Sequence, residues 1–260
     1  MIDVNEPSGF LICLLILFCA VLLRYLLAAG FFYYYYFVWN SGRFQERILS
    51  RRKLRKDQLK KEIGWSVISS AIFAIFGAWT YWLWQNGYTA IYLDPAEFGY
   101  WYLPVSLLVI LFIHETYYYW VHRWMHHPKI FRKVHKVHHD SLTPTPWTAF
   151  SFHPWESLLE ALILPAILLL IPVHFAVLGV YLLLMTLSSV INHLDIEIYP
   201  ESFQNSKFGK HFIGATHHHY HHEEFQTNYG LYFTFWDKWM KTESSKMEIS
   251  EAAKAKTSGR

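Results

Sequence analysis

Cysteine is almost missing from this chain: among 260 residues only Cys13 and Cys19 carry a thiol. Both lie in one apolar run, on opposite sides of a helix, so they neither pair with each other nor build a cysteine-type metal site. Charge of one sign is also scarce. A net charge of +3 with no broad basic face excludes the electrostatic footprint of a nucleic-acid binder. The start, Met-Ile-Asp-Val-Asn-Glu-Pro, lacks the basic region of a secretory signal, so the first apolar helix is expected to remain as an anchor. No internal repeat, second globular domain, lipidation signal or retention signal can be read from the chain.

What is abundant is apolar and aromatic side chain, 53% and 19% of the residues, above the roughly 45–50% apolar content of soluble domains. The run 10–38 exceeds the roughly 20 residues that cross a hydrocarbon core. Arg24 interrupts it and is expected to face neighbouring helices or snorkel, with no catalytic role. Segment 41–62 then carries nine Lys or Arg against three acids. By the positive-inside rule it is cytoplasmic, and it reads as a solvated helix face near headgroups. A second span is expected over 65–84, an outer turn over 86–98, and a third span over 100–120 that returns to the basic side. Runs 157–171 and 175–190, parted by Pro172, are short for a crossing. They predict a helical hairpin that turns near or just short of the far side. The residues after Thr242 are rich in Lys, Ser and Ala and are expected to be disordered. The fold class expected is all-α and multi-pass, with about four spanning or hairpin helices and a cytosolic histidine-rich cap.

The sixteen histidines are not scattered. His122 and His126 follow the third span; His135, His138 and His139 come next; His218, His221 and His222 lie far downstream. Residues three and four apart share a helix face with Cβ atoms roughly 5–6 Å apart, so each group can aim two or three imidazoles at one point. A closed zinc site takes four ligands, so eight histidines fit two metal ions better than one. Imidazole suits Fe, Zn, Cu and Ni alike, and ligand type does not name the metal. A casual metal-binding surface tract needs neither the helical spacing nor the registration of all groups at one membrane face.

Three spaced motifs carry a resemblance: His-x-x-x-His from His122 to His126 after Tyr119-Trp120, His-x-x-His-His at 135–139 and again at 218–222, and Asn228-Tyr229-Gly230 before Trp236-Asp237. In this order they resemble the sterol desaturase and fatty acid hydroxylase superfamily over about 100–243. The resemblance implies a membrane oxidoreductase with two iron ions at the cytosolic face, which uses O2 and electrons to hydroxylate or desaturate a sterol-like or fatty acyl C–H position. Its ligands would be His122, His126, His135, His138, His139, His218, His221 and His222, joined by His193, which falls where the family also has a histidine. Zinc can replace iron on expression. Division follows as anchor helices with a basic loop (1–99), catalytic domain (100–243) and polar tail (244–260).

Because the chain shows no His-Pro-Gly-Gly motif of a fused cytochrome-b5-like segment, electrons are expected from a separate carrier, cytochrome b5-like or ferredoxin-like with its reductase. The membrane would be a bacterial inner membrane or the endoplasmic reticulum. Glu115, Asp140, Glu156, Asp195, Glu223 and Glu224 are candidates to accept from ligand ring N–H groups. His114 is either such a neighbour or a packed residue, His153 a site-lining one, and His174 interfacial. His127, His211, His217 and His219 flank ligands as hydrogen-bonding or exposed neighbours. The alternative from another class is a membrane metal-ion transporter or sensor, which wants polar ligands near the bilayer midplane. A zinc-dependent lipid hydrolase needs only about three protein ligands.

Overall fold

Prolines open three of the helices at the position where a missing N–H costs nothing: Pro7, Pro128 and Pro154. The computed structural model describes residues 2–50 and 52–247. Five long helices make the body: α1 (Pro7–Tyr33), α2 (Gln58–Gln85), α3 (Tyr102–Met125), α6 (Pro154–Leu170) and α7 (Phe175–Asn192). Shorter helices α4 (Pro128–Val134), α5 (Lys136–His139) and α8 (Ala215–Glu224) form the cap. Helix α1 runs on into a wider π-type turn, Tyr34–Trp39. Three helical stretches, Pro7–Trp39, Gln58–Gln85 and Phe175–Asn192, are long and apolar enough to cross a membrane.

Small residues let these helices approach. Ser66, Ser70, Ala74 and Ala78 repeat every fourth residue on α2 and are all buried, which brings the backbones of α1 and α6 close. A second seam joins Ile110 and Leu111 of α3 to Ile163, Ile167 and Leu168 of α6 and to Val177 and Tyr181 of α7. Tyr25 and Ala29 of α1 pack on Ala149, Phe150 and Val190, and so hold α1 against the segment that leads into α6.

The α6–α7 hairpin does not stop short. At its tip, strand β2 (Val173–His174) pairs in parallel with strand β1 (Ile91–Tyr92) in the loop after α2, and the Ala90 N–H donates to the Leu168 carbonyl at 2.8 Å. The hairpin tip therefore lies level with the loop after α2. His174 sits here: its Nδ1 accepts the Ala176 N–H at 3.1 Å as the cap of α7, and its Nε2 meets the Leu93 carbonyl at 3.0 Å. His174→Ala is expected to lose about 0.5–2 kcal/mol of helix stability and to leave metal content unchanged, as thermal unfolding and elemental analysis would measure.

At the opposite end the basic segment meets the chain after α7. The Leu49 N–H donates to the Asp195 carbonyl at 2.9 Å, and the Ser50 hydroxyl to the Asp195 carboxylate at 2.9 Å. Two sequence expectations are corrected here. Gln58 and Glu62 are not on a solvated face: Glu62 is 1% exposed and accepts from Gln58, Ser141, Thr145 and Thr148 at 2.7–2.9 Å. This carboxylate ties α2 to the segment after α5, which a charge count cannot reveal. The tail is also ordered at its start: Ser244 is buried with its N–H on Asn228 Oδ1, and Lys246 pairs with Glu223 and Glu224. The rest of the expected disordered tail, 248–260, lies outside the described residues.

Candidate metal centre

Helix α3 carries His122 in its last turn and ends at His126. The chain then turns at His127, whose side chain accepts the Lys129 N–H as the cap of α4, and delivers His135 and the single turn α5. His193 directly follows α7, and α8 supplies His218, His221 and His222. The structure brings all nine together as two groups. One holds His122, His126, His135, His139 and His221; the other holds His138, His193, His218 and His222, with the ligand atoms of each group within 4.8 Å of one another.

The grouping cuts across the motifs, and helix geometry gives the reason. At about 100° per residue, positions four apart lie nearly in line while adjacent positions diverge. Thus His135 with His139, and His218 with His222, share a group, while His138 and His221 each reach the other one. The expectation that each motif aims at a single point is corrected: each His-x-x-His-His bridges two points.

The distances test whether metals fit. The Nε2 atoms of His122 and His135, His135 and His139, and His139 and His221 are 3.0, 3.1 and 3.0 Å apart. In the second group His138 to His193, His193 to His218 and His218 to His222 are 3.1, 2.8 and 3.1 Å. Two donors about 2.1 Å from one ion stand about 3.0–3.4 Å apart, depending on the angle between them, so the spacing is that of imidazoles able to share one ion. The Nδ1 atoms of His139, His218 and His222 are buried without a partner, while on four others Nδ1–H donates: to the carbonyls of Tyr229 (from His122), Ser189 (from His193) and Thr227 (from His221), and to Glu156 Oε1 (from His135), at 2.7–2.9 Å. That tautomer leaves lone pairs on Nε2, and converging lone pairs in a buried site repel unless a cation lies between them.

Eight of the nine histidines are buried, with His126 half-buried. Burial first, then the neighbouring imidazoles, holds His135, His139, His218 and His222 well below the usual histidine range, and burial lowers His193 to about 4. Unfolded histidines titrate near about 6.5, so above that pH both states are neutral. Below it only the unfolded chain takes up protons, and stability falls with falling pH. The metal-stripped protein is expected to lose thermal stability between about pH 6.5 and 4; a flat unfolding midpoint across that window would contradict the buried cluster.

Of the six candidate carboxylates, only Glu156 meets one of the nine histidines. Asp140 pairs with Lys136, Glu223 and Glu224 pair with Lys246, and Asp195 meets His219 and Ser50. Glu115 serves the backbone instead. It accepts the N–H groups of Leu231 and Tyr232, while Asp237 accepts those of Tyr229 and Gly230. Together they clamp the loop whose Tyr229 carbonyl orients His122. A Cβ on Gly230 would stand 2.7 Å from Glu115 Oε1 and 2.7 Å from the Phe233 carbonyl, which is why the motif reads Asn-Tyr-Gly before Trp-Asp. The motif was legible in sequence, but the positioning role of Asp237 was not.

The remaining histidines stay outside both groups. His114 is packed, its Nδ1 meeting the Tyr181 and Tyr232 hydroxyls at 2.9 and 2.8 Å. His153, expected to line the site, caps α6 through the Trp155 N–H at 3.3 Å. His219 meets Asp195, and His127, His211 and His217 are also outside the groups.

Beneath the cluster lies a cavity of about 340 Å³ among α1, α2, α3, α6 and α7, lined mainly by apolar side chains. Tyr118 and Phe152 line it and pack on the two groups, with ring centroids 5.1 Å from His122 and 5.2 Å from His138.

Residues 107–242 match the family model described as fatty acid hydroxylase. Lathosterol oxidase of Homo sapiens is 32% identical over 199 residues, 75% of this chain and 64% of that protein. The Delta(7)-sterol 5(6)-desaturase ERG3B of Gibberella zeae is 29% identical over 197 residues, 75% of this chain and 59% of its own length. The chain thus spans less than two thirds of the length of these relatives. No solved structure matches. With more than half of its length matched, and with sterol desaturases among its relatives, the chain belongs to the fatty acid hydroxylase family of the sterol desaturase and fatty acid hydroxylase superfamily.

Proposed function

We propose that this protein is a membrane-bound oxidoreductase that holds two iron ions and uses O2 and electrons to hydroxylate or desaturate a C–H position of a lipid, sterol-like or fatty acyl. The observation that carries this reading is the convergence of nine Nε2 atoms as a set of five and a set of four above an apolar cavity. His122, His126, His135, His139 and His221 would hold one ion, and His138, His193, His218 and His222 the other. The bound ions supply the redox chemistry with O2 that no side chain provides.

The chain's own residues do the rest. Glu156 and the carbonyls of Tyr229, Ser189 and Thr227 orient four of the imidazoles. Tyr118 and Phe152 line the cavity and pack on His122 and His138, so a lipid that fills the cavity would approach the histidines beside these two rings. The basic segment 41–62 shares the end of the molecule with the histidines, which supports a cytosolic site by the positive-inside rule. Electrons would come from a separate carrier, cytochrome b5-like or ferredoxin-like, and 100–243 would form the catalytic domain. The transporter reading lacks a comparable support, because the histidines gather at one end of the bundle and not along a path through it.

Elemental analysis of protein purified in detergent tests this reading. About two irons per chain are expected, with oxidised lipid formed on addition of O2 and reductant; zinc-loaded protein is expected to gain activity on exchange for iron. Little or no tightly bound metal would overturn the proposal.

A further inference from the structure

Away from the metal centre, the cap carries a connected row of aromatic rings. From Phe208 the ring centroids step 4.8 Å to Phe212, 5.5 Å to Phe233, 6.2 Å to Phe235 and 5.6 Å to Phe112 of α3, and Trp236 stands 5.5 Å from Trp120 of α3. Backbone pairing holds the row together: Phe212 and Phe233 form an antiparallel bridge, and the Thr234 N–H donates to the His211 carbonyl at 3.0 Å. Phe208 is 67% exposed, and Trp239, at the end of the short helix Phe235–Trp239, is 62% exposed. None of these rings lines the cavity.

The row continues a face that suits lipid. Helix α3 buries Ser106, His114, Glu115 and His122 and exposes Leu108, Phe112, Trp120 and Trp124. That is the inverse of a helix on a soluble protein, and it fits a bundle whose solvent is hydrocarbon. The same helix packs through Ile110 and Leu111 on α7, which is long and apolar enough to cross a membrane. Phe112 lies ten residues before His122, about 15 Å along the helix. The aromatic row thus runs from the cap well down the outer side of α3.

Charge at its border narrows what the row meets. Lys207, Lys210 and Lys241 are exposed beside the rings, Arg123 lies 5.9 Å over the Trp120 ring, and Glu201 is the one exposed acid in 201–212 and 233–241. Aromatic rings with lysines next to them match the boundary between acyl chains and anionic headgroups, where the rings meet apolar chains and the ammonium groups meet phosphates.

We infer that segments 203–212 and 233–241 form a membrane contact of the cap, separate from the crossing helices, with the rings at the headgroup boundary of the leaflet nearest the histidines and the lysines on anionic headgroups. The short helix Phe235–Trp239 also turns Asp237 inward, where its carboxylate accepts the Tyr229 and Gly230 N–H groups at 2.9 Å. The element that meets the lipid therefore also holds the loop that orients His122. This contact needs no metal and does not depend on the oxidation chemistry proposed above.

Spin labels on the full chain test it. Phe208→Cys, Trp239→Cys and, as a reference on the outer face of α3, Leu108→Cys are each made together with Cys13→Ala and Cys19→Ala. Each is labelled with a nitroxide and reconstituted in vesicles of phosphatidylcholine with phosphatidylserine, an unchanged unfolding midpoint serving as evidence of folding. Relaxation by O2, which concentrates in lipid, against relaxation by a water-soluble nickel chelate reads the depth of each label. At 208 and 239 the ratio of the two is expected to exceed that of a nitroxide free in water by about 3-fold or more, and at 108 by more still. A label at 108 in lipid with those at 208 and 239 open to nickel, or shielded from both reagents by a second copy or another protein, would overturn the contact. Nickel access at all three would overturn the membrane reading as well. Omission of phosphatidylserine, or Lys207→Gln, Lys210→Gln and Lys241→Gln combined, is expected to lower the ratio at 208 toward that of water; a ratio unmoved by both would overturn the part given to the lysines.

Discussion

His138→Ala and His221→Ala, one from each group, are expected to abolish lipid oxidation while the protein still inserts. His138→Ala leaves its group with three imidazoles and His221→Ala leaves four, so the larger loss of bound metal is expected from the first. Changes in the outer partners of ligating histidines alone typically cost about 10–100-fold in affinity or activity. Removing a ligand is therefore expected to lower oxidation by more than about 100-fold. Glu156→Ala gives the comparison: it keeps every imidazole but strips the acceptor from His135 Nδ1–H, and it belongs in the milder range. Elemental analysis with mass-spectrometric detection of the oxidised lipid measures both effects. Full activity in either histidine variant would defeat the ligand assignment.

Glu62→Ala is expected to unfold or severely destabilise the protein, although residue 62 lies in neither histidine group. Its carboxylate accepts from Gln58, Ser141, Thr145 and Thr148, and alanine strands all four donors. At about 1–3 kcal/mol for each unsatisfied buried group, the sum is a large share of the roughly 5–15 kcal/mol that stabilises a folded domain. Metal retention should fall with it, because the segment Ser141–Thr148 connects His139 to α6. Glu62→Gln keeps one acceptor oxygen and is expected to be milder, since the hydroxyl donors can reverse and accept from the new amide. Wild-type thermal stability in Glu62→Ala would show that the node is dispensable.

The sequence alone determined the helical class, the shared level of the histidine groups and the family, but not which helices are apolar enough to cross: Tyr102–Met125, expected as the third span, is not among them, and Phe175–Asn192, expected to be short, is. Each rests on a short-range signal: apolar run length, charge on the flanks, and spacing along one helix. Even the inclusion of His193 followed from the resemblance. Only the tertiary structure decided how the histidines divide, since His138 and His139 are neighbours in sequence yet point about 100° apart into different groups. It also decided which acids matter. Asp140, Asp195 and Glu223 sit as near to histidines in sequence as Glu156 does, but hydrogen-bond reach depends on chain folding over distances that spacing does not encode. Glu62 appeared as one acid in a basic loop and proved to be a buried node, because its four donors come partly from residues about eighty positions away.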